Sequence, residues 1–153
     1  MRLLSIVTAF CALVVFAPGL AEGQLTGQII CSDQPLPDPG GNTGAWVKEL
    51  KKANKTTFTK DENGNWTVHF LAFMKGAAGS DKVNVVFYDI TKGKPDQVHY
   101  IEFNVTAAQR TLKSVFKLNT DDPVKAGNKY DVRLTKVVGG KEVVLARTTL
   151  NFK

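Results

Sequence analysis

The stretch Trp66 to Ile90, WTVHFLAFMKGAAGSDKVNVVFYDI, decides the fold. It is the most apolar part of the chain outside the N-terminus, and it reads as two strands joined by a Gly-rich polar loop. Val83, Val85, Val86, Phe87, Tyr88 and Ile90 are β-branched or aromatic and suit a pleated, packed surface. Alternation places Trp66, Val68, Phe70, Ala72 and Met74 on one face of the first strand. The other face, with Leu71 and Phe73 among Thr67, His69 and Lys75, is apolar in part. A strand apolar on both sides is central in its sheet or has its second face covered.

Strand patterns continue downstream. In 97–105 the residues His99, Ile101, Phe103 and Val105 share a face, and in 111–119 so do Leu112, Ser114, Phe116 and Leu118. Tyr130, Val132 and Leu134 point inward from 129–138, and Val144, Ala146, Thr148, Leu150 and Phe152 from 142–152. For these last two strands, a two-residue Gly139-Gly140 loop would set Leu134 against Leu145 and turn the wrong face outward. A three-residue loop starting at Val138 sets Leu134 against Val144 and Lys136 against Glu142, with Gly140 at the left-handed position of a bulge. The sequence therefore predicts the three-residue loop, with Val137, Val143 and Leu145 pointing outward beside Arg133.

Upstream, residues 22–45 are rich in Gly, Pro and Asp (PLPDPGGNTG at 35–44), a composition of loops and tethers. Gln24 to Cys31 or 54–60 offers a first strand. Trp46, Val47 and Leu50 recur at helical spacing within AWVKELKKA, which predicts a short amphipathic helix. That helix is expected to cover Leu71 and Phe73; failing that, these two become partner-contact residues. The N-terminus has Arg2, an apolar run from Leu3 to about Ala17, and then Pro18-Gly19-Leu20-Ala21. This is the pattern of a secretory signal peptide cleaved after Ala21, and it is too short to span a bilayer. The organisation expected is a leader over 1–21, an irregular segment with a short helix over 22–53, and a β-sandwich over 54–153, with no transmembrane segment after cleavage.

Beyond the leader there is one cysteine, Cys31, so no internal disulfide can form. Small secreted domains of animals usually carry cysteine pairs, so a bacterial periplasmic or secreted protein is expected. Residues 110–153 hold ten Lys+Arg and four Asp+Glu, whereas residues 22–109 hold nine and ten. The excess lysines are spaced singly, which suits solvated strands and protected edges, and no nucleic-acid partner is expected.

VKAGNKYDVRL at 124–134 resembles the tyrosine-corner region of fibronectin type III and related immunoglobulin-like domains. The resemblance implies that Tyr130 opens the sixth strand and that its hydroxyl bonds backbone a few residues upstream. It also implies a strand order of B (66–75), C (83–91), C′ (97–105), E (111–119), F (129–138) and G (142–152), with Trp66 as the core tryptophan. In that order 66–75 and 83–91 lie in opposite sheets, and the fold is an all-β, antiparallel immunoglobulin-like sandwich of about seven strands. In texture the chain is also similar to single-domain secreted proteins of delta-proteobacteria such as myxobacteria.

Chemistry-bearing motifs are sparse. His69 and His99 lie in strand patterns without a second ligand at metal spacing. No nucleophile elbow, phosphate-cradling loop or dinucleotide fingerprint occurs. Asp61, Asn63 and Asn65 imitate the start of a calcium loop, but Gly64 and Ala72 fall where that loop needs other residues, so the segment reads as a turn. No catalysis, metal or cofactor is expected. The first functional expectation is a non-enzymatic exported interaction or structural module of the bacterial cell envelope, contacting an unidentified protein through Arg133, Val137, Val143 and Leu145. The second is a module for acidic envelope polysaccharides, with Trp46, Trp66 or Tyr100 as a stacking platform.

Overall fold

The computed structural model describes residues 21–153; the leader expected at 1–21 lies, but for Ala21, outside the described residues. The elements are α1 (Ala21–Leu25), β1 (Ile29–Ser32), α2 (Thr43–Ala53), β2 (Thr57–Phe58), β3 (Trp66–Phe73), β4 (Lys82–Asp89), β5 (Asp96–Asn104), β6 (Thr111–Leu118), β7 (Lys129–Val138) and β8 (Lys141–Phe152). They build a sandwich of two sheets, β1-β3-β6 and β2-β8-β7-β4-β5. The two halves of the opening stretch, β3 and β4, do lie in opposite sheets. Both candidate first segments form strands: β1 pairs antiparallel with β3, and β2 pairs parallel with β8.

The alternation read from the sequence fills the space between the sheets. Val68, Phe70 and Ala72 from β3 face Val83, Val85 and Phe87 from β4, with Leu112, Phe116, Val132, Leu134 and Leu150 in the same cluster. Phe70 packs edge-on against Phe103 and Phe87 against Phe116, each pair with ring centroids 5.5 Å apart. Trp66 is buried at one end, 5.3 Å from the Phe152 ring, and its indole N–H donates to the Lys153 carbonyl at 2.9 Å. Tyr130 is fully buried, and its hydroxyl accepts the Lys125 N–H at 2.8 Å, a bond to backbone five residues upstream.

One flank of the sandwich is closed by β8. The Lys75 N–H donates to the Leu145 carbonyl and the Arg147 N–H to the Gly27 carbonyl, which joins the ends of β1 and β3 to the other sheet. The opposite flank is bordered by β6 and β5, the last strands of their sheets.

A second apolar cluster lies outside the three-stranded sheet. Asn42 caps α2, its side-chain oxygen accepting the Ala45 N–H at 3.0 Å. Trp46, Val47 and Leu50 then pack with Leu25, Ile30 and Leu36 over Leu71 and Phe73. The Trp46 ring meets Phe73 edge-on at 6.0 Å, and its N–H donates to the Pro37 carbonyl. Burying each such side chain contributes about 1.5–3 kcal/mol. The helix thus supplies the cover that the double-sided apolarity of β3 calls for, and the described members of both clusters all lie between Leu25 and Phe152.

The β7–β8 register departs from the one the sequence suggests. Val138 pairs with Lys141 and Lys136 with Val143 across a two-residue Gly139-Gly140 loop, not a three-residue one. Both glycines have positive φ, 57° and 75°, as a type I′ hairpin turn demands. Leu134 still avoids Leu145, because the register shifts between Leu134 and Thr135 and sets Leu134 opposite Ala146. Leu145 is the extra residue of this bulge. The left-handed Gly140 therefore serves the turn, and the bulge sits five residues downstream.

Candidate functional site

The outer face of the five-stranded sheet carries a cross-strand charge network. Register sets Tyr88 of β4 beside Asp131 of β7, Val86 beside Arg133, and Arg133 beside Arg147 of β8. Asp131 Oδ2 accepts from Arg133 Nε at 2.8 Å and from Arg147 Nη2 at 3.0 Å. The Arg133 guanidinium lies 4.1 Å over the centre of the Tyr88 ring, and the Tyr88 hydroxyl donates to Glu142 at 2.7 Å. Glu142 also stands 3.6 Å from Arg133 Nη1.

The electrostatics follow from this packing. Burial works to lower the Arg133 pKa, but the bond and charge of Asp131 outweigh it, so the guanidinium is held more firmly protonated than usual. The Tyr88 hydroxyl is pushed up, first by burial and then by the Glu142 carboxylate it bonds. Asp131 is buried, and its second oxygen, Oδ1, has no hydrogen-bond partner among the described residues. The result is a charge-balanced surface with an aromatic–guanidinium stack at its centre. Such a surface can recognise a partner.

Beyond this face β7 and β8 continue as a two-stranded ribbon, since β4 pairs with β7 only as far as Thr135. The ribbon exposes Val137 (64%), Val138 (55%) and Val143 (39%). Lys136 braces it from beneath, its ammonium donating to the Ala78 carbonyl at 2.8 Å.

Against this geometry the expected contact residues separate. Arg133 and Val137 lie on the outer face as expected. Val143 is exposed but stands opposite Lys136, on the other side of the ribbon from Val137, because the shorter loop moves the register by one residue. Leu145 does not point outward: the bulge turns it into the main core, where it is 4% exposed. Leu71 and Phe73 are buried beneath α2 and offer no contact surface. The network partners Asp131, Arg147, Tyr88 and Glu142 come from three strands. Only the alternation of Asp131 with Arg133 on the solvent side of one strand hinted at them.

Other candidates find structural employment. Trp46 and Trp66 are both buried, so neither can serve as a stacking platform for sugars. Tyr100 is open, alone of the three. Asp61 spends one carboxylate oxygen on the N–H groups of Asn63 and Asn65, which builds the turn. His99 packs half-buried against Phe87, and burial lowers its pKa, with Asp122 opposing weakly. Burial also lowers the pKa of His69, with Lys113 next in effect. Cys31 is buried, and its thiol is pushed up to about 12 by that burial, which keeps it unreactive at neutral pH.

A cleft of about 690 Å³ lies at the opposite end of the sheet from the ribbon, lined by Asp89, Lys92, Lys94, Asp96 and Lys125 among others. Burial works to raise the Asp89 pKa, but bonds from the Thr91 hydroxyl and N–H and from the Asn128 amide overcome it and leave the group depressed. Asp89 thereby ties the β4–β5 turn to the start of β7.

Comparison of the chain with protein-family models, with curated proteins and with solved structures returns no match.

Proposed function

We propose that this chain is an immunoglobulin-like β-sandwich that works as a non-enzymatic interaction module of the bacterial cell envelope. Support for the fold family comes from the strand order, β1-β3-β6 facing β8-β7-β4-β5, and from the Tyr130 hydroxyl accepting a backbone N–H five residues upstream. The export route rests on the N-terminal leader pattern, and the bacterial setting on the unpaired cysteine.

One observation carries the functional reading. The β7–β8 ribbon projects past its neighbouring strand and exposes Val137 on the face of the Arg133–Tyr88–Glu142 network, with Val138 and Val143 exposed on its other side. An apolar tip rimmed by fixed charges is the composition of a protein-contact surface. The partner is a protein whose surface accepts the ribbon tip over Arg133.

Pull-down from envelope extract with the wild-type chain and with Val137→Asp tests the reading. A partner identified by mass and lost with Val137→Asp supports it, provided the melting curve is unchanged. A partner retained equally by Val137→Asp and Arg133→Ala refutes it.

A further inference from the structure

Among the described residues two sheet edges lie open on one flank of the sandwich, and their contents are complementary. The arch at 105–110 joins β5 to β6 across a few residues, so the two strands run in opposite directions, with Asn104 and Thr111 at the same end. The ladders show which backbone groups face outward. Val105 donates to the Asp81 carbonyl, continuing the Lys82–Asn104 register. The hydrogen-bonded pairs are then Val83–Phe103 and Val85–Ile101, and the N–H and C=O groups of Tyr100 and Glu102 turn away from β4. Likewise Met74 donates to the Arg110 carbonyl beyond the Phe73–Thr111 pair, so the backbone groups of Lys113, Val115 and Lys117 turn away from β3. On the outer faces, β5 presents Tyr100 at 60% exposure beside Glu102, and β6 presents Val115 at 36% between two lysines.

We propose that a second copy of this chain completes both edges at once. A half-turn about an axis parallel to the strands brings β5 of one copy beside β6 of the other, and β6 beside β5. The new pairs are antiparallel, and outer faces continue as outer faces. This rotation shifts nothing along the strands, and Phe87, which pairs with His99, packs on Phe116, so His99 and Phe116 lie level: Glu102 then falls opposite Lys113 of the second copy, and Tyr100 opposite Val115. An opposite-charge pair and an aromatic–β-branched pair are both favourable cross-strand neighbours. Glu102 already bonds Lys82 and Lys113 already bonds Asp38, so each joint carries a row of four charges of alternating sign.

The alternatives are weaker. Pairing β6 with β6 faces the Lys113–Lys117 rows with one another, and pairing β5 with β5 centred on Glu102 sets acid against acid. The β5–β6 joint opposes acid to base, and the two-fold axis forms it twice, which closes the assembly. Each sheet of five then continues into a sheet of three. This surface is separate from the β7–β8 ribbon and does not rest on the function proposed for it.

Sedimentation velocity of the chain from Glu22 onward, which contains both hydrophobic clusters, tests the proposal. The wild type is expected to dimerise reversibly. Glu102→Lys and Lys113→Glu should each raise the dimer Kd about ten-fold or more, because the two-fold axis counts every contact twice. The double reversal should recover most of the loss. Tyr100→Lys, at an exposed site, should weaken the dimer without lowering the melting temperature of the dilute monomer, and Val137→Asp should leave it intact. A wild type that remains monomeric at its highest soluble concentration overturns the proposal, even if a segment of another protein co-purifies with it. So does a dimer indifferent to both single reversals, or a double reversal no better than the singles.

Discussion

Leu145 and Val137 look alike in the sequence, both apolar residues of the last hairpin, yet the structure assigns them opposite energetic roles. Truncating Leu145 to Ala removes three carbons from a site 4% exposed inside the main cluster. Buried Leu→Ala changes cost about 2–5 kcal/mol, the spread reflecting how far the surroundings relax. Leu145 sits on a bulge near the closed flank, where the strand can shift, so the lower half of the range applies, about 2–3 kcal/mol. Val137→Ala, at 64% exposure, should fall within about 0.5 kcal/mol of the wild type. Urea titration measures both, and equal m-values would confirm that the midpoints report stability alone. A Leu145→Ala loss below about 1 kcal/mol, or an equal loss for Val137→Ala, would refute the bulge register and return Leu145 to the surface.

Three further outcomes are expected. Tyr130→Phe keeps the buried ring but strands the Lys125 N–H, costing about 1–3 kcal/mol; a calorimetric scan showing no shift would remove the hydroxyl's role. His99 has a lowered pKa in the folded state, so the unfolded chain takes up its proton first. Its share of stability is complete above about pH 6.5 and declines as pH falls from there toward the folded pKa, and His99→Gln should flatten that part of the stability–pH curve. Cys31, buried with its thiol pushed up to about 12, should resist a thiol-specific reagent at pH 8 until denaturant is added; stoichiometric labelling of the native chain would contradict its burial.

The strands were legible because period-two alternation survives wherever one face meets the core, as Leu112, Phe116 and Leu118 do in β6. Helix α2 was legible from Trp46, Val47 and Leu50, and its docking from the second apolar face of β3. The bulge was not. Residues 143–146 read Val-Val-Leu-Ala, an unbroken apolar run, so inserting one residue leaves no mark in the pattern and the loop length absorbs the error. The Arg133 network was hidden for a related reason. Its members are 88, 131, 133, 142 and 147, and only pairing across three strands makes them neighbours.

The parallel pairing of β2 with β8 bears on how the domain carries mechanical load. The Asn151 N–H donates to the Thr56 carbonyl and the Lys153 N–H to the Phe58 carbonyl, while the Trp66 indole holds the Lys153 carbonyl. Tension drawn along β8 from Lys153 against β2 runs parallel to both strands. Bonds crossing between strands loaded this way share the tension and must yield together, whereas a peeled hairpin releases them one by one. The C-terminal strand is thus built as a grip, and a pull at Lys153 is resisted by the sheet edge and the tryptophan together.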